Sequence, residues 1–159
     1  MPSTDPITIL LVDDEEMVLT SIRSFLAIET DYQVYTFTSP LLALQQLDKI
    51  DIDLVISDYL MPDMDGISFL GKVKEKFPHV PRILLTGYAD KENAIKAIND
   101  VGLYQYIEKP WNNDDLKLII RNGLEKTLLL KRLEEKIREV EKAQKELTDV
   151  QKQILKIFA

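Results

Sequence analysis

Short apolar runs alternate with segments of helical spacing along the first 122 residues of the chain. The first run, residues 7–12, is almost continuously apolar, which is typical of a strand buried on both faces of a parallel sheet. Similar runs recur at residues 33–37, 54–57, 82–85 and 104–107. The pattern therefore predicts five strands, each separated from the next by a helix.

The segments between these runs carry apolar residues three or four positions apart, and several carry helix-end signals. Ser39 followed by Pro40 is a typical cap and first helical residue. Asp90 is placed to cap a later helix that ends at Gly102, and a fifth helix begins near Asn113. The apolar residues that indicate these helices are Val18, Ile22, Phe25 and Leu26; Leu41, Leu44 and Leu47; Ile67, Leu70 and Val73; and Ala94, Ile95 and Ile98.

Five strands alternating with helices predict an α/β fold with right-handed crossovers. The segment is short for two nucleotide-binding halves. The prediction is therefore a flavodoxin-like, doubly wound, five-stranded parallel sheet rather than a full Rossmann domain. In such sheets ligands bind at the carboxyl ends of the strands, so functional residues are expected where the strands end.

Acidic, hydroxyl and basic residues stand where these strands end. They are Asp13 and Asp14 after the first strand, Asp58 after the third, Thr86 after the fourth and Lys109 after the fifth. Crowded carboxylates repel one another unless a cation or a raised pKa relieves them, and oxygen ligands favour Mg²⁺ over Zn²⁺. Lys109 and Thr86 suit contacts to a phosphoryl group, which makes Asp58 a candidate nucleophile that forms an aspartyl phosphate.

These residues resemble bacterial response-regulator receiver domains. The motifs are Asp13-Asp14, Ser57-Asp58-Tyr59-Leu60-Met61-Pro62-Asp63-Met64-Asp65-Gly66, Thr86-Gly87 and Tyr106-Ile107-Glu108-Lys109-Pro110. The resemblance covers about residues 6–122, and each motif lies in register with a predicted strand. A receiver domain followed by a coiled-coil helix is therefore the expected architecture.

The resemblance implies that Asp58 accepts a phosphoryl group from a histidine on a sensor kinase or a phosphotransfer protein. Thr86 and Lys109 would contact the phosphoryl oxygens, and Thr86 with Tyr106 would form the switch. The peptide bond between Lys109 and Pro110 is commonly cis in this family.

The resemblance also implies an Mg²⁺ site. Its ligands would be Asp13 or Asp14, together with Asp58 and the backbone carbonyl of Leu60. The only histidine of the chain, His79, lies in a proline-flanked loop and is predicted to be exposed rather than a metal ligand.

Three positions near the predicted site depart from the pattern of other receivers. Gly87 stands where many members have alanine, which should leave access to the phosphoryl group open. Leu60 and Tyr88 lie two residues beyond Asp58 and Thr86, where polar residues in other receivers help to position attacking water. Because the Leu60 side chain forms no hydrogen bonds, we expect slow hydrolysis of phospho-Asp58.

The C-terminal segment predicts a long amphipathic helix. A heptad frame places Leu130, Leu133, Ile137, Val140, Gln144, Leu147, Gln151, Ile154 and Phe158 at successive a and d positions. Lys136 and Glu141 would then pair across a parallel dimer, and the two glutamines would lie at a positions. A homodimer through residues 124–159 is favoured over an antiparallel or intramolecular helix pair, and Gly123 is a candidate hinge.

Charge and composition indicate which binding partners and which cellular compartment to expect. Residues 1–123 hold 11 Lys and Arg against 20 Asp and Glu, whereas residues 124–159 hold 9 against 7. An acidic front segment disfavours direct nucleic-acid binding, because phosphate contacts need clustered basic residues. The chain has no cysteine, no run long enough to span a membrane and no visible export signal, so a cytoplasmic protein is expected.

The predicted organisation is a receiver domain over residues 1–122 and a coiled-coil extension over residues 123–159. Phosphorylation would change the coil, which would pass the signal to a partner or to an output domain outside this sequence. The chain would be a signalling switch rather than an enzyme. Two alternatives stay open: an Mg²⁺-dependent aspartyl phosphohydrolase, although Asp13-Asp14-Glu15 lacks its D-x-D nucleophile motif, and a degenerate receiver that serves only for dimerisation.

Overall fold

The computed structural model describes residues 6–158, which form five strands and five helices in alternation, with one 3₁₀ turn at Tyr88–Asp90. The strands are β1 (Thr8–Val12), β2 (Gln33–Phe37), β3 (Leu54–Asp58), β4 (Arg82–Thr86) and β5 (Gln105–Glu108). The helices are α1 (Glu16–Glu29), α2 (Pro40–Gln46), α3 (Gly66–Lys76), α4 (Lys91–Asp100) and α5 (Asn113–Phe158). The chain divides into two compact units on either side of Leu124, and each is described by itself.

The first unit contains a single parallel sheet with the strand order β2-β1-β3-β4-β5. This confirms the predicted flavodoxin-like fold. The order reverses at β1, which pairs with β2 on one side and with β3 on the other. The carboxyl ends of β1 and β3 therefore flank the topological switch point, where open α/β sheets bind their ligands.

Two apolar layers cover the two faces of this sheet. Strands β1, β3 and β4 are buried along their whole length, as the continuous apolar runs predict. One layer includes Val12, Ala43, Phe69, Leu84 and Ala97, from the sheet and from α2, α3 and α4. The other includes Leu11, Ile22, Leu26, Leu116 and Ile120, from the sheet, α1 and the first turns of α5. Burial on both faces holds the strand ends rigidly in place.

The helix ends match the prediction at Ser39 and differ at Asp90. The Ser39 hydroxyl accepts a hydrogen bond from the Leu42 N–H at 3.3 Å and caps α2. Asp90 stands at the cap position of α4, but its side chain accepts no capping hydrogen bond among the described residues. A 3₁₀ turn leads directly into this helix, and the Asp90 backbone N–H bonds to the Gly87 carbonyl instead. Gly102, with φ of 69°, follows the end of α4 as predicted.

Gly123 lies inside α5 and is buried. A Cβ atom at this position would come within 3.2 Å of Tyr104 Cε1 and 3.4 Å of Pro81 Cβ. Close packing against these two side chains therefore accounts for a glycine here without the hinge role considered above.

The second unit consists of the remaining turns of α5. Every side chain from Leu128 to Phe158 is exposed, including all its large apolar ones. No helix within residues 6–158 is long and apolar enough to cross a membrane.

Candidate functional site

The carboxyl edge of the sheet brings Asp13, Asp58 and Lys109 into contact. Asp13 directly follows β1 and is fully buried, and Asp58 ends β3 with 7% of its surface exposed. The Lys109 ammonium lies 3.1 Å from Asp13 Oδ2 and 3.1 Å from Asp58 Oδ1. Residues 45 and more positions apart in sequence thus share one ion-paired centre.

Backbone contacts hold Lys109 in this position. Its N–H donates to the Thr86 carbonyl at 2.7 Å, immediately beyond the pairing of Thr86 with Glu108. The peptide bond between Lys109 and Pro110 is cis, as the resemblance implies.

Asp14 completes a group of three carboxylates. One oxygen from each of Asp13, Asp14 and Asp58 lies within 4.8 Å of the others. Asp14 is exposed, whereas Asp13 and Asp58 are buried. Three carboxylates face a single ammonium here, so the centre carries an excess of negative charge on its open side.

Burial and charge shift the titration of this centre. Burial, followed by the nearby charge of Asp13, raises the pKa of Asp58 to about 6, although Lys109 and the Tyr59 N–H oppose the shift. Burial also raises the pKa of Asp13 against the Glu15 N–H and Lys109. Burial alone would lower the pKa of Lys109, but its hydrogen bonds to Asp13 and Asp58 outweigh that effect and raise it. Lys109 is therefore charged at neutral pH. Asp58 is mostly ionised at that pH, although burial and the charge of Asp13 disfavour its ionised form.

The loop between β3 and α3 fixes the Asp58 carboxylate. The Tyr59 N–H donates to Asp58 Oδ1 at 2.9 Å, and the Gly66 N–H donates to the Tyr59 carbonyl at 2.7 Å. Asp65 caps α3 by accepting from the Ser68 N–H at 2.8 Å. The loop therefore closes tightly over the end of β3.

Gly66 has a structural role that sequence reasoning did not assign. A Cβ atom at Gly66 would lie 1.9 Å from the Asp58 carbonyl oxygen, so no larger residue fits without moving the backbone. The position of this glycine after Asp65 was the available signal, but its close approach to a residue eight positions earlier was not visible in the sequence.

Thr86 and Tyr106 occupy neighbouring strands. Thr86, at the end of β4, is fully buried, and its hydroxyl has no hydrogen-bond partner within residues 6–158. Tyr106, on β5, is half-buried and packs against the apolar layer of α3 and α4. A buried hydroxyl without a partner is costly, which indicates a position that a further ligand group can satisfy.

The departures noted in the sequence follow Asp58 and Thr86 closely along the chain. The Leu60 side chain is 61% exposed. A Cβ atom at Gly87 would lie 3.7 Å from Asp90 Oδ2, so space is present there. The Tyr88 side chain lies outside the described residues. His79 is exposed, as expected, and is not part of the carboxylate group.

Comparison with known families matches residues 9–121 to the response regulator receiver domain. The chain belongs to this family. Receiver domains take phosphoryl groups from histidine kinases, and membership of the family supports a role in phosphorylation-controlled signalling.

Named relatives are also response regulators. The hydrogenase transcriptional regulatory protein HoxA of Cupriavidus necator is 36% identical over 118 residues, which cover 74% of this chain and 24% of HoxA. The response regulator VraR of Staphylococcus saprophyticus is 34% identical over 117 residues, covering 73% of this chain and 56% of VraR. The chain spans about a quarter of the length of HoxA and of similar relatives such as AtoC of Escherichia coli.

Solved structures agree with the fold. A response regulator receiver domain protein from Clostridium thermocellum superposes with a TM-score of 0.73 at 35% identity, covering 78% of this chain and 98% of that one. A structure described as an adenylate cyclase from Rhodopirellula baltica gives a TM-score of 0.78 at 29% identity, covering 84% and 98%. The named regulators are signalling proteins, which favours the switch over the phosphohydrolase alternative.

Receiver domains bind Mg²⁺ at an acidic pocket, and the donor set of this receiver fits that ion. The available ligands are carboxylate oxygens, and no histidine or cysteine joins them among the described residues. Oxygen-only sites with one or two carboxylates suit Mg²⁺, which keeps the rest of its shell for water and phosphate oxygens. The excess negative charge beside Asp58 gives a cation a direct electrostatic reason to bind.

Proposed function

We propose that this receiver is a phosphorylation switch in which Asp58 accepts the phosphoryl group. The observation that carries the proposal is the Lys109 ammonium, which lies 3.1 Å from both Asp58 and Asp13. This arrangement keeps one cation beside the acceptor carboxylate, where negative charge develops during phosphoryl transfer.

The transfer uses the Asp58 carboxylate as a nucleophile. One of its oxygens attacks the phosphorus of a phosphohistidine on a sensor kinase or phosphotransfer protein. The P–O bond forms as the P–N bond breaks, and the imidazole leaves with that electron pair and takes a proton from solvent. Because Asp58 is mostly ionised at neutral pH, no general base is needed to activate it.

Mg²⁺ would be held by Asp13, Asp14, Asp58 and the backbone carbonyl of Leu60. When bound, it supplies positive charge that neutralises the carboxylates and the incoming phosphoryl oxygens. Lys109, which directly follows β5, contributes a second positive charge. The Tyr59 N–H orients the Asp58 carboxylate through its 2.9 Å hydrogen bond.

Thr86 and Tyr106 would convert the new phosphoryl group into a structural change. The Thr86 hydroxyl has no partner within the described part of the chain and can donate to a phosphoryl oxygen. Movement of Thr86 would free space beside β5 that the half-buried ring of Tyr106 can fill. The receiver, residues 1–122, would then act through the C-terminal helical extension, residues 123–159.

The extension would form a parallel homodimer through residues 124–159 and pass the change to a partner or to an output domain. The exposed apolar side chains of α5 support this part of the proposal, because they need a partner surface in water. The acidic receiver gives no support for direct nucleic-acid binding.

Incubation with acetyl phosphate and Mg²⁺, followed by intact mass spectrometry, tests the acceptor. The wild-type chain should gain the mass of one phosphoryl group, and Asp58→Asn should gain none. Asp63→Asn, at an exposed aspartate of the same loop, is the matched control and should behave as wild type. Equal labelling of wild type and Asp58→Asn would contradict the proposal.

A further inference from the structure

The exposed part of α5 presents apolar residues in rows that repeat every seven residues. Two turns of an α-helix contain 7.2 residues, so residues seven apart lie almost in line along its surface. One row is apolar throughout this part of the helix. This row, called the central row below, consists of Leu133, Val140, Leu147 and Ile154.

The rows on the two sides of the central row change character along the helix. The first flank begins apolar and becomes polar, except at the end of the helix. It consists of Leu130, Ile137, Gln144, Gln151 and Phe158. The second flank begins with a leucine, changes to a lysine and continues with three apolar residues. It consists of Leu129, Lys136, Ala143, Val150 and Ile157.

An uninterrupted heptad, as predicted above, keeps the interface on the first flank. Gln144 and Gln151 would then enter the interface, while Val150 and Ile157, which are 49% and 74% exposed in the single chain, would stay in water. Polar groups at the centre of a coiled coil lower its stability, and apolar side chains left outside add nothing to it.

A change of flank at Val140 removes Gln144 and Gln151 from the interface and brings in Val150 and Ile157, and of the first flank's apolar residues it leaves only Phe158 outside. The interface would follow the first flank up to Ile137, cross the central row at Val140 and follow the second flank from Ala143 onward. Every position along it is then apolar. Its spacing contains two consecutive steps of three residues, Ile137 to Val140 to Ala143, which overwind a coiled coil locally.

Charges beside this interface favour a second copy of the chain in parallel orientation. In a parallel copy whose interface follows the second flank, Glu139 and Glu146 would face the uncharged Gln144 and Gln151, respectively. An antiparallel copy would instead bring Glu139 and Glu146 towards each other, and like charges at this distance repel.

We propose that residues 130–157 form a parallel homodimer whose interface changes flank at Val140 and leaves Gln144 and Gln151 at its edge. This inference deepens the proposed function and rests on its homodimer through residues 124–159. The crossing provides a defined site at which the two helices overwind.

Disulfide trapping in the full chain tests the interface directly, because the protein contains no cysteine. Single variants Val150→Cys and Gln151→Cys are oxidised mildly and the covalent dimer is quantified on non-reducing gels. Facing interface positions have the short Cβ separations that a disulfide requires. We expect Val150→Cys to cross-link at least tenfold faster than Gln151→Cys.

Ile137→Cys and Lys136→Cys form the matched control pair, since Ile137 lies in the interface with or without the crossing. Fast cross-linking of both Ile137→Cys and Val150→Cys also requires parallel chains, because an antiparallel pair brings like residues together only near one point. The change of flank would be overturned if Val150→Cys and Gln151→Cys cross-linked at equal rates. It would also be overturned if Gln151→Cys cross-linked faster than Val150→Cys while Ile137→Cys remained fast. Either result would leave the homodimer itself intact. A monomer by light scattering, with no fast variant, would overturn the homodimer itself and leave Asp58 phosphorylation to its own test.

Discussion

The side chains of Asp13, Asp58 and Lys109 act as one electrostatic unit. Two buried carboxylates share a single ammonium, and Asp14 adds a third negative charge at the exposed side. Each charge therefore depends on the others, and a substitution at one of them alters the pKa of its neighbours. This unit gains stability from added positive charge and from removal of negative charge.

The raised pKa of Asp58 predicts how stability responds to pH in the absence of divalent cations. Its pKa of about 6 in the folded chain exceeds the value of about 3.9 in an unfolded chain. The folded state therefore binds more protons between these two values, and stability is lost as pH rises through about 6. The quantity to follow, with EDTA present, is the unfolding free energy of Asp58→Asn minus that of wild type. This difference should be larger at pH 7.5 than at pH 4 by on the order of 2 kcal/mol.

Urea unfolding at the two pH values measures this difference. The exposed Asp63→Asn is the control for the loss of a carboxylate outside the buried centre. A difference in unfolding free energy between Asp58→Asn and wild type that does not change with pH would contradict the raised pKa of Asp58.

Leu60 predicts a long phosphoryl lifetime. Its exposed side chain stands two residues beyond Asp58 and offers no hydrogen bond to orient an attacking water molecule. Leu60→Asn should shorten the half-life of the phosphorylated chain several-fold, measured by intact mass after the phosphodonor is removed. Leu41→Asn, at an exposed leucine of α2, is the control. An unchanged or longer half-life in Leu60→Asn would show that Leu60 does not limit hydrolysis.

Much of the site could be predicted at the level of single residues. The rule that parallel strands end at one edge was sufficient to group Asp13, Asp58, Thr86 and Lys109, because each directly follows or ends a strand. Gly66 could not be found in this way. Its role depends on the separation between its own Cα and the Asp58 carbonyl, which strand and helix patterns do not contain.

At the scale of elements, strands were easier to predict than helix faces. The buried strands carry continuous apolar runs, whereas the apolar stripes of the helices include Leu41 and Ile95, which are 44% and 46% exposed. Ala43 and Ala97 are buried near those positions instead. A small residue allows a helix to approach the sheet closely, so the buried face does not always carry the largest apolar side chains.

The start of α3 gives a prediction at this scale. Gly66→Ala places a methyl group against the Asp58 carbonyl oxygen, and the backbone must move to relieve the overlap. We expect a loss of about 3 kcal/mol in unfolding free energy, together with slower phosphorylation, because the displaced atoms belong to the acceptor residue.

Gly71→Ala in the same helix is the matched control. The nearest atom to its new Cβ would be Val101 Cγ1 at 3.8 Å, an ordinary contact. Alanine is also favoured over glycine inside a helix by up to about 1 kcal/mol, so this variant should be as stable as wild type or more so. Equal stability of the two variants would refute the close approach of Gly66 to β3.

At the scale of the whole molecule, two compact units differ in what they require. The receiver buries its own apolar residues on both faces of the sheet. The apolar residues of the C-terminal unit are exposed, which is the observation behind the proposed homodimer. The long helix could be predicted from its periodicity, but the course of its interface could not be read from one heptad frame, because two frames share the central row.

The most direct test of the central claim is to locate the phosphoryl group. The chain is treated with acetyl phosphate and Mg²⁺, the acyl phosphate is reduced with borohydride, and the modified residue is identified by peptide mass spectrometry. The account predicts modification of Asp58 alone, with none when EDTA replaces Mg²⁺. Modification of another residue, or equal modification of Asp58 without Mg²⁺, would contradict it.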